Sequence, residues 1–210
     1  MAKIGVIGAN GKAGSNIVKE AASRGHEVTA IVREASKAPA EASGVLAKEL
    51  FELTSADLAA FDVVVNAAGF FHNPELNVTG GKHLIDILKG SDTRLIVVGG
   101  AGSLYVDPEE TVKLFTTPEF PEMFRPLAQT QGQTLDDLQA TGGVKWTFVS
   151  PSAEFALGRR TGSYRKGKNR LLVNSQGDSY VSYEDYAIAI VDEIEKPEHA
   201  NERFTVVSER

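Results

Sequence analysis

Short apolar runs alternate with longer amphipathic stretches along most of the chain. Residues 3–7, 27–32, 45–50, 62–66, 94–98 and 145–149 read as β-strands. Several are apolar on consecutive positions, as in Val63-Val64-Val65 and Leu95-Ile96-Val97-Val98. A strand that shows one face to water alternates polar and apolar residues, whereas a strand covered on both faces does not. Residues 12–24, 76–89, 127–140 and 183–195 read as the helices that supply this cover. Ser182 with Asp185 three residues on resembles a capping box with Asp in place of Glu, and Pro197 marks the far end of that last helix. Strand–helix alternation of this kind predicts right-handed crossovers and an open, doubly wound parallel α/β sheet.

Length and composition narrow the class further. At 210 residues the chain is expected to form a single domain spanning 1–210, with residues from about 150 onward on the substrate side. There is no internal repeat, low-complexity tract or linker. Cysteine is absent, which excludes disulfides and thiolate metal sites and suits a reducing cytoplasm. Four scattered histidines show no metal-ligand spacing, so no metal is expected. With 22 Lys and Arg against 28 Asp and Glu, the net charge of −6 argues against nucleic acid as a partner. Three residues precede the first apolar run, too few for a signal-peptide core, and no apolar run is long enough to span a membrane. The expected partner is a small molecule, bound by a cytoplasmic monomer or homodimer.

The chemistry concentrates first in residues 4–15, IGVIGANGKAGS. A P-loop would need Gly, four residues, then Gly-Lys-Ser/Thr, but Val6 stands at the first glycine position and Ala13 follows Lys12. Gly8, Gly11 and Gly14 instead make G-x-x-G-x-x-G between a strand and a helix. Such a turn allows close backbone approach to a pyrophosphate, with the first helical amides pointing at the anion. At the end of the second strand, where NAD-specific folds present a carboxylate, the chain has Arg33 with Lys37 close behind. A guanidinium there pairs with a 2′-phosphate, which favours NADP while leaving NAD possible; the other reading is a solvated strand-end arginine beside Glu34.

Taken together, IGVIGANGKAGSNI, HEVTAIVRE (26–34), DVVVNAAG (62–69), RLIVVGGAGSL (94–104), KWTFVSPSAEF (145–155), GRRTGSY (158–164) and SYEDYAIAIVDEIEKPEH (182–199) resemble the atypical short-chain dehydrogenases/reductases. Within these the chain is similar to the small NAD(P)H-binding proteins called "putative NADH-flavin reductases", to flavin/biliverdin-IXβ reductases and to NmrA-like proteins. The resemblance implies a Rossmann-type fold with the cofactor across the carboxyl ends of the strands. It places Gly8, Asn10, Gly11, Lys12, Ala13 and Gly14 around the pyrophosphate. Arg33 and Lys37 would face the adenosine phosphate, Leu50 and Phe51 the adenine, and Ala67, Ala68 and Gly69 the ribose. The segment 98–103, with Gly99 and Gly100, would lie near the nicotinamide.

Catalysis is where the chain departs from that superfamily. Its members protonate a carbonyl substrate with the Tyr of Y-x-x-x-K on the helix after the fifth strand, but here that helix, LAQTQGQTLDDLQA, has neither Tyr nor Lys. A literal Y-x-x-x-K, Tyr164 to Lys168, falls in a glycine-punctuated basic stretch and reads as coincidence. Hydride addition to a ketone creates an alkoxide that needs a proton, whereas a reduced isoalloxazine is delocalised and can take protons from water. The expected acceptor is therefore FMN, another flavin or a similar conjugated molecule, as substrate rather than prosthetic group. A non-catalytic dinucleotide-binding redox sensor is the main alternative, and a nucleotide-sugar epimerase a weaker one. Candidate acceptor residues are Phe70, Phe71, Gln129, Gln131, Pro151, Ser152, Ala153 and Phe155, the two phenylalanines reading equally as core. Ser103 is the candidate donor to acceptor or carboxamide, or else a turn residue. The stretch 159–170 holds six basic residues and no acid; it reads as a flap for a ligand phosphate or as a solvated hairpin.

Overall fold

A computed structural model describes all residues, Met1–Arg210. Strands β1 (Lys3–Ile7), β2 (Glu27–Val32), β3 (Gly44–Ala47), β4 (Val63–Asn66), β5 (Arg94–Val98), β6 (Trp146–Ser150), β8 (Tyr164–Gly167) and β10 (Glu202–Ser208) form one sheet in the order β3-β2-β1-β4-β5-β6-β10-β8. All neighbours are parallel except the edge strand β8, which runs antiparallel to β10. Strands β7 (Glu154–Ala156) and β9 (Tyr180–Ser182) pair separately. The helices are α1 (Lys12–Ser23), α2 (Ser55–Leu58), α3 (Glu75–Leu88), α4 (Arg125–Ala140) and α5 (Tyr183–Glu195).

Consecutive apolar residues send side chains to opposite faces, and each face has its own core. Val63 and Val65 join Ile4, Ile17, Ile190 and Phe204 under α1 and α5. Val64 joins Leu84, Leu88, Leu135, Leu138 and Phe148 under α3 and α4. The predicted doubly wound Rossmann-type sheet is thus present, with bounds shifted by one or two residues at several elements.

Two expectations change. The strand expected over 45–50 stops at Ala47, because Glu49 and Glu52 cap a 3-10 turn at Leu50–Glu52. The sheet also extends beyond the sixth strand: Phe204 and Val206 on β10 are fully buried, and β8 adds the antiparallel edge. Ser182 Oγ accepts from the Asp185 N–H at 3.0 Å as a cap should. Asp185 does not reciprocate; its carboxylate accepts from the N–H groups of Thr161 and Gly162 and from the Thr161 hydroxyl, pinning the 159–163 loop to α5.

Candidate functional site

The strand order reverses at β1, with β2 and β3 on one side and β4, β5 and β6 on the other. Crevices at such switch points, outside the carboxyl ends of parallel strands, are where open α/β sheets bind ligands. Here the loops after β1, β4, β5 and β6 border a cleft of ≈ 1050 Å³.

At its β1 end the cleft fits a pyrophosphate. Gly8 has φ +72°, and a Cβ there would lie 2.8 Å from the Ala68 backbone nitrogen. A Cβ on Gly14 would collide with the Gly8 carbonyl oxygen, so glycine lets α1 pack directly on the turn. Helix α1 has no side-chain cap, and the N–H groups of Lys12 and Ala13 find no acceptor in the protein. Both residues border the cleft, as does Gly11. Unpaired amides at a helix N-terminus attract an anion.

The structure brings most of the expected residues together. Ala67, Ala68, Gly69, Gly99 and Gly100 form the floor; the missing Cβ atoms of Gly99 and Gly100 let the Phe148 ring and the Gln131 side chain pack against the turn after β5. Gln131, the α4 side chain nearest Gly100, lies against the floor, and Pro151, Ser152, Ala153 and Phe155 line the cleft as well. The paired phenylalanines divide: Phe71 is 66% exposed on the cleft rim, whereas Phe70 packs against the α3–α4 core and shares a small inner recess with Leu50.

Other expected residues lie elsewhere. Ser103 is buried outside the cleft lining, its hydroxyl and carbonyl accepting from Arg203 Nη1 at 2.9 and 3.1 Å. Arg203 is itself buried without a carboxylate partner, and burial holds its pKa below the usual guanidinium range. The pair ties β10 to the loop after β5, a structural use for both. Gln129 is exposed and borders no part of the cleft. Asn10 is an exposed loop residue just outside it. Phe51 lies on the surface against Phe70 and His83, with ring centroids 6.3 and 6.0 Å away. Lys37 forms an ion pair with Glu34 at 2.7 Å, while Arg33, exposed at the end of β2, has no such partner.

The basic stretch 159–170 does not border the cleft. Arg160 pairs with Glu20, Lys166 with Glu198 and Lys168 with Glu202, and Arg165 donates to the Val173 carbonyl. Tyr164 lies on a strand and donates to Asp192 at 2.6 Å, far in role from a helical Y-x-x-x-K acid. No group of three His, Cys, Asp or Glu is arranged to hold a metal ion, and no helix is long and apolar enough to cross a membrane.

Two parts of the cleft were not anticipated. Leu114, Phe120, Pro121 and Phe124, with Thr117 and the carboxylate of Glu119 among them, form a largely apolar wall from the connection between β5 and α4. The signal in the sequence was the length of that connection, unusual for a βα loop, and its run of Phe and Pro, TTPEFPEMFRP. Tyr183, at the start of α5, is the other; its ring lies 4.2 Å from that of Phe155, and burial raises its pKa so that the hydroxyl stays protonated.

Fold and cleft define a nucleotide-binding α/β protein of the Rossmann type. The NAD(P)H-binding family model matches residues 8–197, and the chain belongs to that family. It is 59% identical over 210 residues, 99% of each chain, to the uncharacterized protein YwnB of Bacillus subtilis. Among solved structures it is similar to a "putative NADH-flavin reductase" of Streptococcus pneumoniae, at 45% identity, full coverage of both chains and a TM-score of 0.95. A "putative epimerase" of Bacteroides thetaiotaomicron is 35% identical, covers 99% of this chain and 97% of its own, and has a TM-score of 0.88.

Proposed function

We propose that the protein is an NAD(P)H-dependent reductase that passes a hydride to a flavin or similar conjugated small molecule, with NADPH preferred. The observation that carries the reading is a dinucleotide-type cleft whose α4 wall presents Leu127, Ala128 and Gln131 and no acid. When bound, the dihydronicotinamide supplies the hydride. The chain supplies position: Lys12, Ala13 and their amides hold the diphosphate, Arg33 faces the 2′-phosphate, and the floor at 67–69 and 99–100 underlies the stacked rings. Gln131 and the Tyr183 hydroxyl are neutral donors that orient the acceptor, and the apolar wall at 114–124 excludes water. Proximity of this kind suffices where the reduced acceptor spreads its charge and collects its proton from solvent. With neither Tyr nor Lys, α4 offers no group to move a proton from a sugar hydroxyl, as the epimerase chemistry in one neighbour's name requires.

The test is spectrophotometric. Steady NADPH oxidation on adding flavin or quinone is expected; tight NADPH binding with no turnover across a broad panel would instead favour a redox sensor.

A further inference from the structure

Resting on the reductase reading, the cleft's charges sort its acceptors. Lys12 is its only lining cation, and it stands at the helix α1 end with the unpaired amides. The acceptor end, between the 114–124 wall and the β7–α5 wall, is lined by no Lys, Arg or His and by two carboxylates, Glu119 and Glu154. Glu119 is exposed and makes no hydrogen bond or ion pair. Glu154 pairs with Arg210, but Arg210 also holds Asp178 at 3.1 Å, so one guanidinium serves two carboxylates and that cluster keeps a net negative charge. Arg159, the nearest member of the basic stretch, donates to the Arg210 carbonyl rather than to the cleft. The rest of this end is apolar or neutral: Phe120, Phe124, Leu127, Phe155, and the Tyr183 ring and hydroxyl.

A phosphate or carboxylate arm carried into that end would lose water and meet carboxylates instead of partners. We infer that the acceptor is a planar ring system without an anionic arm, an uncharged flavin or quinone, and that Glu119 and Glu154 discriminate against phosphorylated flavins. The phosphate that the cleft recognises is the cofactor's alone.

The experiment compares riboflavin with FMN as acceptors at fixed saturating NADPH and low ionic strength. Riboflavin is expected to have the higher kcat/KM by roughly fivefold, the factor that about 1 kcal/mol of exposed charge repulsion produces. The preference should shrink with added salt. Glu119→Lys should narrow or reverse the ratio by raising the FMN value. Equal or better use of FMN by the unaltered protein overturns the inference while leaving hydride transfer to flavin intact. Binding of NADPH with turnover of neither acceptor, nor of a quinone, overturns the reductase reading and this inference with it.

Discussion

The two ends of helix α1 treat polar groups in opposite ways. At its start, the Lys12 and Ala13 amides lack acceptors, and neither Lys12 nor nearby Arg33 has a carboxylate partner. At its far end nothing is left over. Glu20, 5% exposed, accepts from Arg24 at 2.8 Å and from Arg160 at 2.9 Å; Arg24 reaches on to Asp192 and Glu195, His26 meets Glu195, and Tyr164 donates to Asp192. Uncapped amides at a helix N-terminus attract an anion, so their position beside the cleft floor makes this end a surface suited to a ligand. The saturated end marks a joint, which fastens α1 to α5 and to the loop before β8. Arg160, for all its charge, serves that joint, whereas Lys12 and the unpaired amides face the cleft.

Damaging the unpaired end should have the largest effect. Gly14→Ala places a methyl against the Gly8 carbonyl and must open the turn. Alanine in a helix interior is otherwise worth up to about 1 kcal/mol over glycine, so propensity predicts the opposite sign. NADPH affinity, read by calorimetry, should fall about a hundredfold, in the range of a local steric disruption. Unchanged affinity would remove the glycine turn from the site. Next comes Arg33→Ala. Loss of one charge-assisted contact, about 1.5 kcal/mol, should cut the NADPH-to-NADH selectivity roughly tenfold. An unchanged ratio would assign the unpaired guanidinium to solvent and sharpen the contrast to Lys12 and the amides alone.

How much of this was legible depends on whether the signal was local. The glycine turn, the apolar strands and the four long helices all declare themselves within a few residues of sequence, and the loss of Tyr and Lys from α4 is visible as plain absence. What the sequence hid were pairings between distant residues. Ser103 looked available until Arg203, a hundred positions on, took its hydroxyl. Six basic residues in 159–170 read either as a phosphate flap or as a solvated hairpin, because Glu20, Glu198 and Glu202 are separated from them along the chain. Phe70 and Phe71 could not be told apart until the backbone turned one inward and one out. The wall at 114–124 lacks regular periodicity, being built of short 3-10 turns, so no hydrophobic pattern announced it.

The smallest expected effect tests the saturated end. Arg160→Gln removes the group chiefly responsible for holding the Glu20 carboxyl below its usual value of 4.5. A carboxyl lowered in the folded state adds stability that is complete above the unfolded value and is lost as pH falls through the folded one. The variant should therefore be less stable at pH 7, by at most about 1 kcal/mol because the Arg160 side chain is 56% exposed. The gap from the unaltered protein should begin to narrow as the pH drops below about 4.5 and close only below the lowered folded value, where both carry a protonated Glu20. Denaturant unfolding at pH 7 and pH 3 measures both points. NADPH and flavin affinities, and their dependence on salt, should not change, because Arg160 borders no part of the cleft. If instead the variant binds either ligand more weakly, the division between a ligand-facing end and a joint fails, and the basic stretch must move toward the cleft when it fills.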